Sequence, residues 1–311
     1  MVNKVTAVFL SLVLVIPAVS GDNAGLAGSY LRMGLGARAI SMGNTGVASA
    51  VSAYSTFYNP ATLGEIEGRL GGLSYSFMSL DRRFGYISLA IKVPPAAGAS
   101  IGWIESGVGN LKSYNTIGQE TGDINHSANA VYFAFGRSIV DRVYFGVAIK
   151  VLFERINDGT DEFDYSSNGV GFDLGLLYVV NDDLRVGYQI RDIKSQLKAN
   201  TDKIFDQGGT TIDPFPILNK LGVAYKTPLS WLRAAYDFEW SNHSEIRHHI
   251  GLEALRGDNL ALRIGYNGKV MTFGAGMDFM ILNIKSYLDY AFLPSFVDEG
   301  SSHIFSWQLA F

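Results

Sequence analysis

Five histidines, His126, His243, His248, His249 and His303, are the side chains best suited to metal binding or proton transfer. Their placement argues against both. On a strand, the adjacent His248 and His249 point to opposite faces and cannot hold one ion together. His126, His243 and His303 lie beside strand–loop junctions, where a solvated or interfacial imidazole is expected. The segment Asn157-Asp158-Gly159-Thr160-Asp161-Glu162-Phe163-Asp164 is acidic enough to attract calcium, yet it lacks the roughly twelve-residue ligand spacing of a calcium loop. Asp237 and Glu239 resemble an acid/base pair, but two residues apart on a strand they read as charges lining one face. Gly34-Leu35-Gly36-Ala37-Arg38-Ala39 lacks the third glycine of a dinucleotide fingerprint, and no nucleophile elbow, zinc-protease helix or P-loop occurs. No catalytic residue, cofactor or metal is therefore expected, and the chain reads as a non-enzyme.

Bulk properties narrow the class further. A formal net charge of −4 speaks against nucleic-acid binding, which needs a basic face. The absence of cysteine excludes disulfides and thiolate metal sites. Charged residues make up only 17%, against roughly 25% in ordinary soluble domains. Aromatics at 13% and 35 glycines suit tightly curved strands with aromatic girdles.

The start of the chain reads as an export signal. Lys4 precedes an apolar run from Val5 to Ile16, and Pro17-Ala18-Val19-Ser20 ends it with small residues, predicting a secretory signal peptide over 1–20 cleaved after Ser20. The other end carries an equally specific pattern. Phe305, Trp307, Leu309 and Phe311 share one face of a strand, with Ser306, Gln308 and Ala310 on the other. Soluble chains seldom end on such an aromatic dyad repeat, whereas a membrane barrel must close its last strand onto its first with an apolar face toward lipid. The four apolar residues resemble the sorting signal read by the barrel-assembly machinery of the outer membrane.

Between these ends, period-two alternation predicts about fourteen strands, near 70–78, 83–92, 97–106, 127–138, 142–155, 167–180, 184–193, 217–226, 231–240, 245–255, 259–267, 270–279, 282–292 and 303–311. Alternation alone is blind to inside and outside, but loop lengths are not. Every second connection is short, and the long ones, about 107–126, 156–166, 194–216 and 293–302, all fall at the opposite end from Phe311. Short periplasmic turns with longer external loops are the habit of outer-membrane barrels. The prediction is an all-β membrane protein embedded in outer-membrane lipid, with a fourteen-stranded antiparallel barrel over 67–311.

Residues 21–66 do not alternate, and a partly helical segment of this kind is expected to fill the lumen as a hatch. It contains Arg32-Met33-Gly34-Leu35-Gly36-Ala37-Arg38-Ala39-Ile40-Ser41-Met42-Gly43 and, further on, Phe57-Tyr58-Asn59-Pro60-Ala61. The pattern R-M-G-x-G-A-R-A-x-x-M-G followed by N-P-A resembles the PorV/PorQ family of FadL-like outer-membrane proteins. Its hatch residues map onto Arg32, Gly34, Gly36, Arg38, Met42, Gly43, Asn59, Pro60 and Ala61. Ser52 or Ala53 and Thr62 stand where the family often has an acid and a glycine. Arg32 and Arg38 are expected to pair with lumen carboxylates such as Asp237, Glu239, Asp278 or Asp289, because a buried guanidinium needs such partners.

Two functions follow from the resemblance. The PorV/PorQ branch implies a type IX secretion-associated protein that receives cargo domains or works with the secretion channel or sortase, docking through loops 107–126, 194–216 and 293–302. The broader FadL resemblance implies uptake of hydrophobic small molecules such as long-chain fatty acids, with Phe57, Tyr58, Phe205, Phe215 and Leu218 as candidate contacts.

Overall fold

Apolar–polar alternation resolves into sixteen strands in the computed structural model, which describes residues 23, 25–158, 164–202, 208–243, 245–257, 259–295 and 300–311. The expected signal peptide, the candidate contact Phe205 and most of the acidic segment 157–164 lie outside the described residues. The strands are β1 (Arg69–Phe77), β2 (Arg82–Val93), β3 (Ala97–Tyr114), β4 (Glu120–Val140), β5 (Val143–Asn157), β6 (Asp164–Val179), β7 (Leu184–Ile193), β8 (Gln196–Asn200), β9 (Thr210–Pro214), β10 (Leu218–Lys226), β11 (Leu232–Ser241), β12 (Ile246–Arg256), β13 (Leu260–Tyr266), β14 (Met271–Ile281), β15 (Ile284–Leu293) and β16 (Ser302–Ala310).

All but β8 and β9 close into a fourteen-stranded antiparallel barrel. Sequential neighbours pair from β1 to β7, β7 pairs with β10, and the ladder runs on to β16, which pairs back onto β1. At that seam Leu70 faces Ala310 and Phe77 faces His303. Phe311 completes it: Arg69 N donates to Phe311 O at 2.9 Å, and Phe311 N donates to Arg69 O at 3.0 Å. A closed ring leaves no unpaired edge, which is what a strand protein needs in hydrocarbon.

The outer surface fits that solvent. Leu73, Ile87, Trp103, Phe133, Ile149 and Leu262 are all exposed, whereas their inward-pointing neighbours, such as Ser74, Ser88 and Ser100, are buried. A band of this extent facing water would forfeit about 25 cal/mol for each Å² of apolar surface left wet, and lipid removes that cost. The molecule is an outer-membrane β-barrel. On β16, Phe305, Trp307 and Phe311 are exposed on the lipid side and Ser306 is buried inside.

Two expected loops turn out to be ordered ladder. Most of 107–126 is strand, because β3 runs to Tyr114 and β4 starts at Glu120, leaving 115–119 as the connection. The extension continues across a register shift through pairs such as Lys112–Asp123 and is held at its tip by Lys112 Nζ, 2.8 Å from both Glu120 and Asp123. Within 194–216, β8 and β9 form a hairpin that pairs with the outer part of β6. Gly, Asn and Ser depress strand propensity in both segments, but cross-strand pairing overrides it.

Leu262→Arg is expected to cost about 2–4 kcal/mol in refolding into lipid vesicles followed by denaturant titration, while Leu282→Arg, in the turn between β14 and β15, costs about 0–1 kcal/mol. Equal costs at both positions would contradict the lipid-facing belt.

Candidate functional site

Before β1 the chain threads the lumen with little regular structure. Its pieces are a 3-10 turn at Ser29–Arg32, helix α1 (Ala37–Ser41), helix α2 (Ser55–Tyr58) and a 3-10 turn at Pro60–Glu65. Such short elements leave many peptide groups without partners of their own, and buried peptide groups must find some. The inward side chains of the wall provide them.

From β16, Ser306 Oγ accepts from Ala37 N at 2.8 Å and Gln308 Oε1 accepts from Ala53 N at 2.8 Å. From β11, Asp237 Oδ2 accepts from Gly46 N and Val47 N at 2.8 and 3.2 Å. Thr272 Oγ1 accepts from Gly43 N at 3.1 Å, and His249 Nδ1 lies 2.8 Å from Gly43 O. Gln189 Nε2 donates to Phe57 O at 2.8 Å, and Arg191 Nη2 donates to Leu31 O at 2.8 Å. His248 points the other way, toward Tyr236 and Phe238, as adjacent strand residues must. No cluster of three or more metal-ligating side chains occurs among the described residues.

The wall also gives way sterically. Gly98, Gly136, Gly146 and Gly175 are direct cross-strand partners on β3 to β6. A Cβ on any of them would collide with the Asn59–Leu63 backbone or side chains. Gly187 and Gly222 form a second pair beneath Val47, and Gly251 and Gly265 a third beneath Met42 and Gly43. Glycine enrichment thus serves the seating of the hatch, beyond the curvature expected of it.

The motif residues occupy these seats. Asn59 is fully buried; its Nδ2 donates to Val47 O at 2.8 Å and Leu176 O at 2.9 Å, and its Oδ1 accepts from Ala61 N at 3.0 Å. One amide therefore staples two hatch segments to β6, and Pro60 opens the turn that follows. Gly34, Gly36 and Gly43 all have positive φ, at 90°, 74° and 71°. Met42 packs buried against the wall glycines.

Arg38 pairs with a lumen carboxylate as expected, though with Glu253 and none of the four named, whereas Arg32 bonds to backbone carbonyls instead. Arg38 forks onto Glu253, with Nε to Oε1 at 3.0 Å and Nη2 to Oε2 at 2.9 Å. Glu253 also receives Arg263 Nε at 2.8 Å and Arg233 Nη1 at 3.4 Å, while Asp289 lies 2.7 Å from Arg263. Arg32 is bonded to backbone carbonyls, Ala27 O at 2.9 Å and Leu26 O at 3.0 Å, because it sits in a tight local turn of the hatch. Asp237 is taken by hatch amides, and Glu239 pairs with Lys220 at 2.8 Å.

The candidate apolar contacts are not laid out as an open pocket. Phe57, Tyr58, Phe215 and Leu218 are buried. Phe57 and Tyr58 meet edge to face at 5.1 Å, and the Arg191 guanidinium stacks 4.0 Å over the Phe57 ring. Phe57, Tyr58 and Phe215 belong to one apolar cluster that runs from Leu197 through Tyr30, Leu31 and Leu35 to Tyr54. Leu35, Tyr54 and Tyr58 are also the roof of a cavity of about 440 Å³, whose rim includes Asp182, Asp183 and Lys226 at the short-turn end. That size lies within the range of small-molecule pockets.

Glu253→Gln would leave Arg38, Arg233 and Arg263 around a neutral amide, with an expected stability loss of about 3–5 kcal/mol in vesicle refolding. Gly146→Ala is expected to speed hydrogen exchange of hatch amides and cost about 1–3 kcal/mol, whereas Gly71→Ala, whose added Cβ meets only the Phe311 ring at 3.8 Å, changes neither.

No protein-family profile matches the chain, and no curated protein does. Solved structures do match its fold. The toluene transporter TbuX of Ralstonia pickettii aligns with a TM-score of 0.63 at 16% identity, over 89% of this chain and 98% of its own. The toluene transporter TodX of Pseudomonas putida gives 0.61 at 15%, over 89% and 98%. A FadL homologue of Pseudomonas aeruginosa gives 0.60 at 9%, over 88% and 97%. The chain therefore has the fold of FadL-like outer-membrane barrels.

Proposed function

We propose that this barrel conducts small hydrophobic molecules across the outer membrane, with the hatch as its internal closure. The observation that carries the reading is the apolar cluster from Leu197 and Phe215 to Leu35, Tyr54 and Tyr58, which connects the outer side of the hatch to the inner cavity. The cavity that the cluster meets is lined in part by Arg38, Glu65, Arg185 and Glu253, so it is the apolar cluster that would favour a solute without charge. Proteins of the same fold include toluene transporters and a monoaromatic hydrocarbon channel. Opening needs a shift at the cavity roof, where Tyr58 Oη lies 3.0 Å from Leu35 N and 2.7 Å from Asn44 Oδ1.

The secretion-partner reading rests on the resemblance of Arg32–Gly43 and Asn59–Pro60–Ala61 to the PorV/PorQ hatch. Asn59, Pro60 and Ala61 are buried within the lumen, so any docking would fall to the outer loops. Co-purification of a large secretion component from solubilised outer membranes would favour that reading instead.

Cells expressing the protein are expected to take up radiolabelled toluene at least several-fold faster than cells lacking it. Phe215→Asp, which puts a carboxylate in the apolar route, should lower the added uptake by about tenfold or more, since an unpaired buried charge resists desolvation. Uptake no faster than in cells lacking the barrel would overturn the proposal.

A further inference from the structure

The wall of the barrel is irregular at one place, where β7 ends. Opposite Asp173 of β6 stand two residues, Arg191 and Asp192, because the register steps from Leu174–Ile190 to Phe172–Ile193. Asp192 has φ 62° and Lys194 φ 53°, a left-handed backbone that is uncommon outside glycine, though aspartate adopts it more readily than most. Strand alternation fails here, and both Arg191 and Asp192 are buried. A bulge of this kind re-aims side chains and bends the strand.

Each residue of the bulge grips something different. Arg191 holds the hatch through Leu31 O at 2.8 Å and the Phe57 ring at 4.0 Å. Asp192 is held by Lys150 Nζ at 2.6 Å, and Lys150, wholly buried, also reaches Asp173 at 2.7 Å and lies over the Tyr132 ring. Asp192 N donates to Asp173 Oδ1 at 2.8 Å, while Asp173 Oδ2 and Tyr132 Oη find no hydrogen-bond partner among the described residues. A buried ionic knot with orphaned polar atoms is a poor source of stability and a good conditional latch, since water reaching it relieves the closed state's desolvation cost.

Immediately beyond the bulge the chain leaves the wall as the β8–β9 hairpin. The hairpin is fastened lightly at its sides: only Ser167–Ala199 and Asn168–Lys198 pair with β6, and no strand among the described residues pairs with the far edge of β9. Leu197 joins Phe215 in the cluster over the hatch turn that holds Tyr30 and Leu31, and Ala199 is buried on the same strand. Phe215 N donates back to Ser195 O at 3.0 Å, closing the base of the hairpin.

We infer that the β8–β9 hairpin is a hinged lid over the outer end of the hatch, with the Arg191–Asp192 bulge as its hinge and Lys150 as its latch. Lifting the hairpin draws on Asp192 and, through the adjacent Arg191, releases Leu31 and Phe57, so that the outer cover and the hatch loosen together. The lid deepens the hydrophobic-transport reading and rests on it for its purpose, but the latch is testable without it.

The chain has no native cysteine, so single reporters are clean. Ala199→Cys, beneath the lid, should react slowly with a membrane-impermeant maleimide in refolded protein, and at least about tenfold faster when combined with Lys150→Met or the milder Asp192→Asn. A cysteine at exposed Thr211, on the outer strand of the hairpin, should label rapidly in every background and controls for reagent access, while heat-modifiable migration of the barrel in SDS gels reports folding. Ala199→Cys labelling that is unchanged by both latch variants, in protein that is folded by its gel migration, overturns the lid. Separately, Ser167→Cys/Ala199→Cys joins direct antiparallel partners, whose Cα atoms lie about 5 Å apart, within disulfide reach. Oxidation should abolish toluene uptake and reduction restore it. Equal uptake in both redox states counts against the lid, whereas no uptake in either state, with latch-dependent labelling intact, counts against the transport reading alone.

Discussion

The structure depends on the need to satisfy the backbone of a nearly irregular segment inside a dry barrel. Between Asn23 and Gly68 the hatch has only four short helical pieces, so it cannot hydrogen-bond itself as a helix or sheet does. Ser306, Gln308, Asp237, Thr272, His249, Gln189 and Arg191 take that role from five different strands. The lumen charges of a porin would face water, whereas here most of the inward polar side chains are committed to peptide groups or to one another. Such a plug is held by many directional contacts of modest individual strength, a construction that can be released stepwise without unfolding the wall.

Glycine is the steric half of the same arrangement. Hydrogen bonds from short side chains such as Ser306 and Thr272 reach the hatch only if its backbone lies close to the wall. The row Gly98, Gly136, Gly146 and Gly175 lets the Asn59–Leu63 turn lie directly on four strands. Asn59 then reaches a wall carbonyl, Leu176 O, with its own side chain. The Arg38–Glu253 fork secures one side of the hatch, and the Arg191 guanidinium, on Leu31 O and the Phe57 ring, secures the side that carries the apolar cluster.

Much of the barrel was legible because lipid and lumen impose a strict alternation. The β16 pattern of Phe305, Trp307 and Phe311 outward and Ser306 and Gln308 inward could be read from the last residues alone. Strand ends at the short turns, such as Leu184 and Lys226, agree with the sequence expectation, since turn residues mark them. The outer extensions of β3 and β4 were hidden, because above the membrane alternation no longer has an apolar face to report. Arg38 could be recognised as needing a carboxylate, but whether Glu253 or Asp289 answers depends on the rotation of the hatch within the ring. The glycine rows carried a usable signal: once strands are set in register, inward glycines of neighbouring strands fall at the same height. The Arg191–Asp192 bulge gave none, since it appears only as a failure of alternation at the end of an otherwise ordinary strand.

We propose a lumen that is closed at rest, with a route that suits uncharged, apolar solutes. Ionic current through single barrels reconstituted in a planar bilayer tests this most directly. No steady current is expected from the native protein at neutral pH. A persistent porin-like current from the intact chain, with its hatch in place, would contradict it.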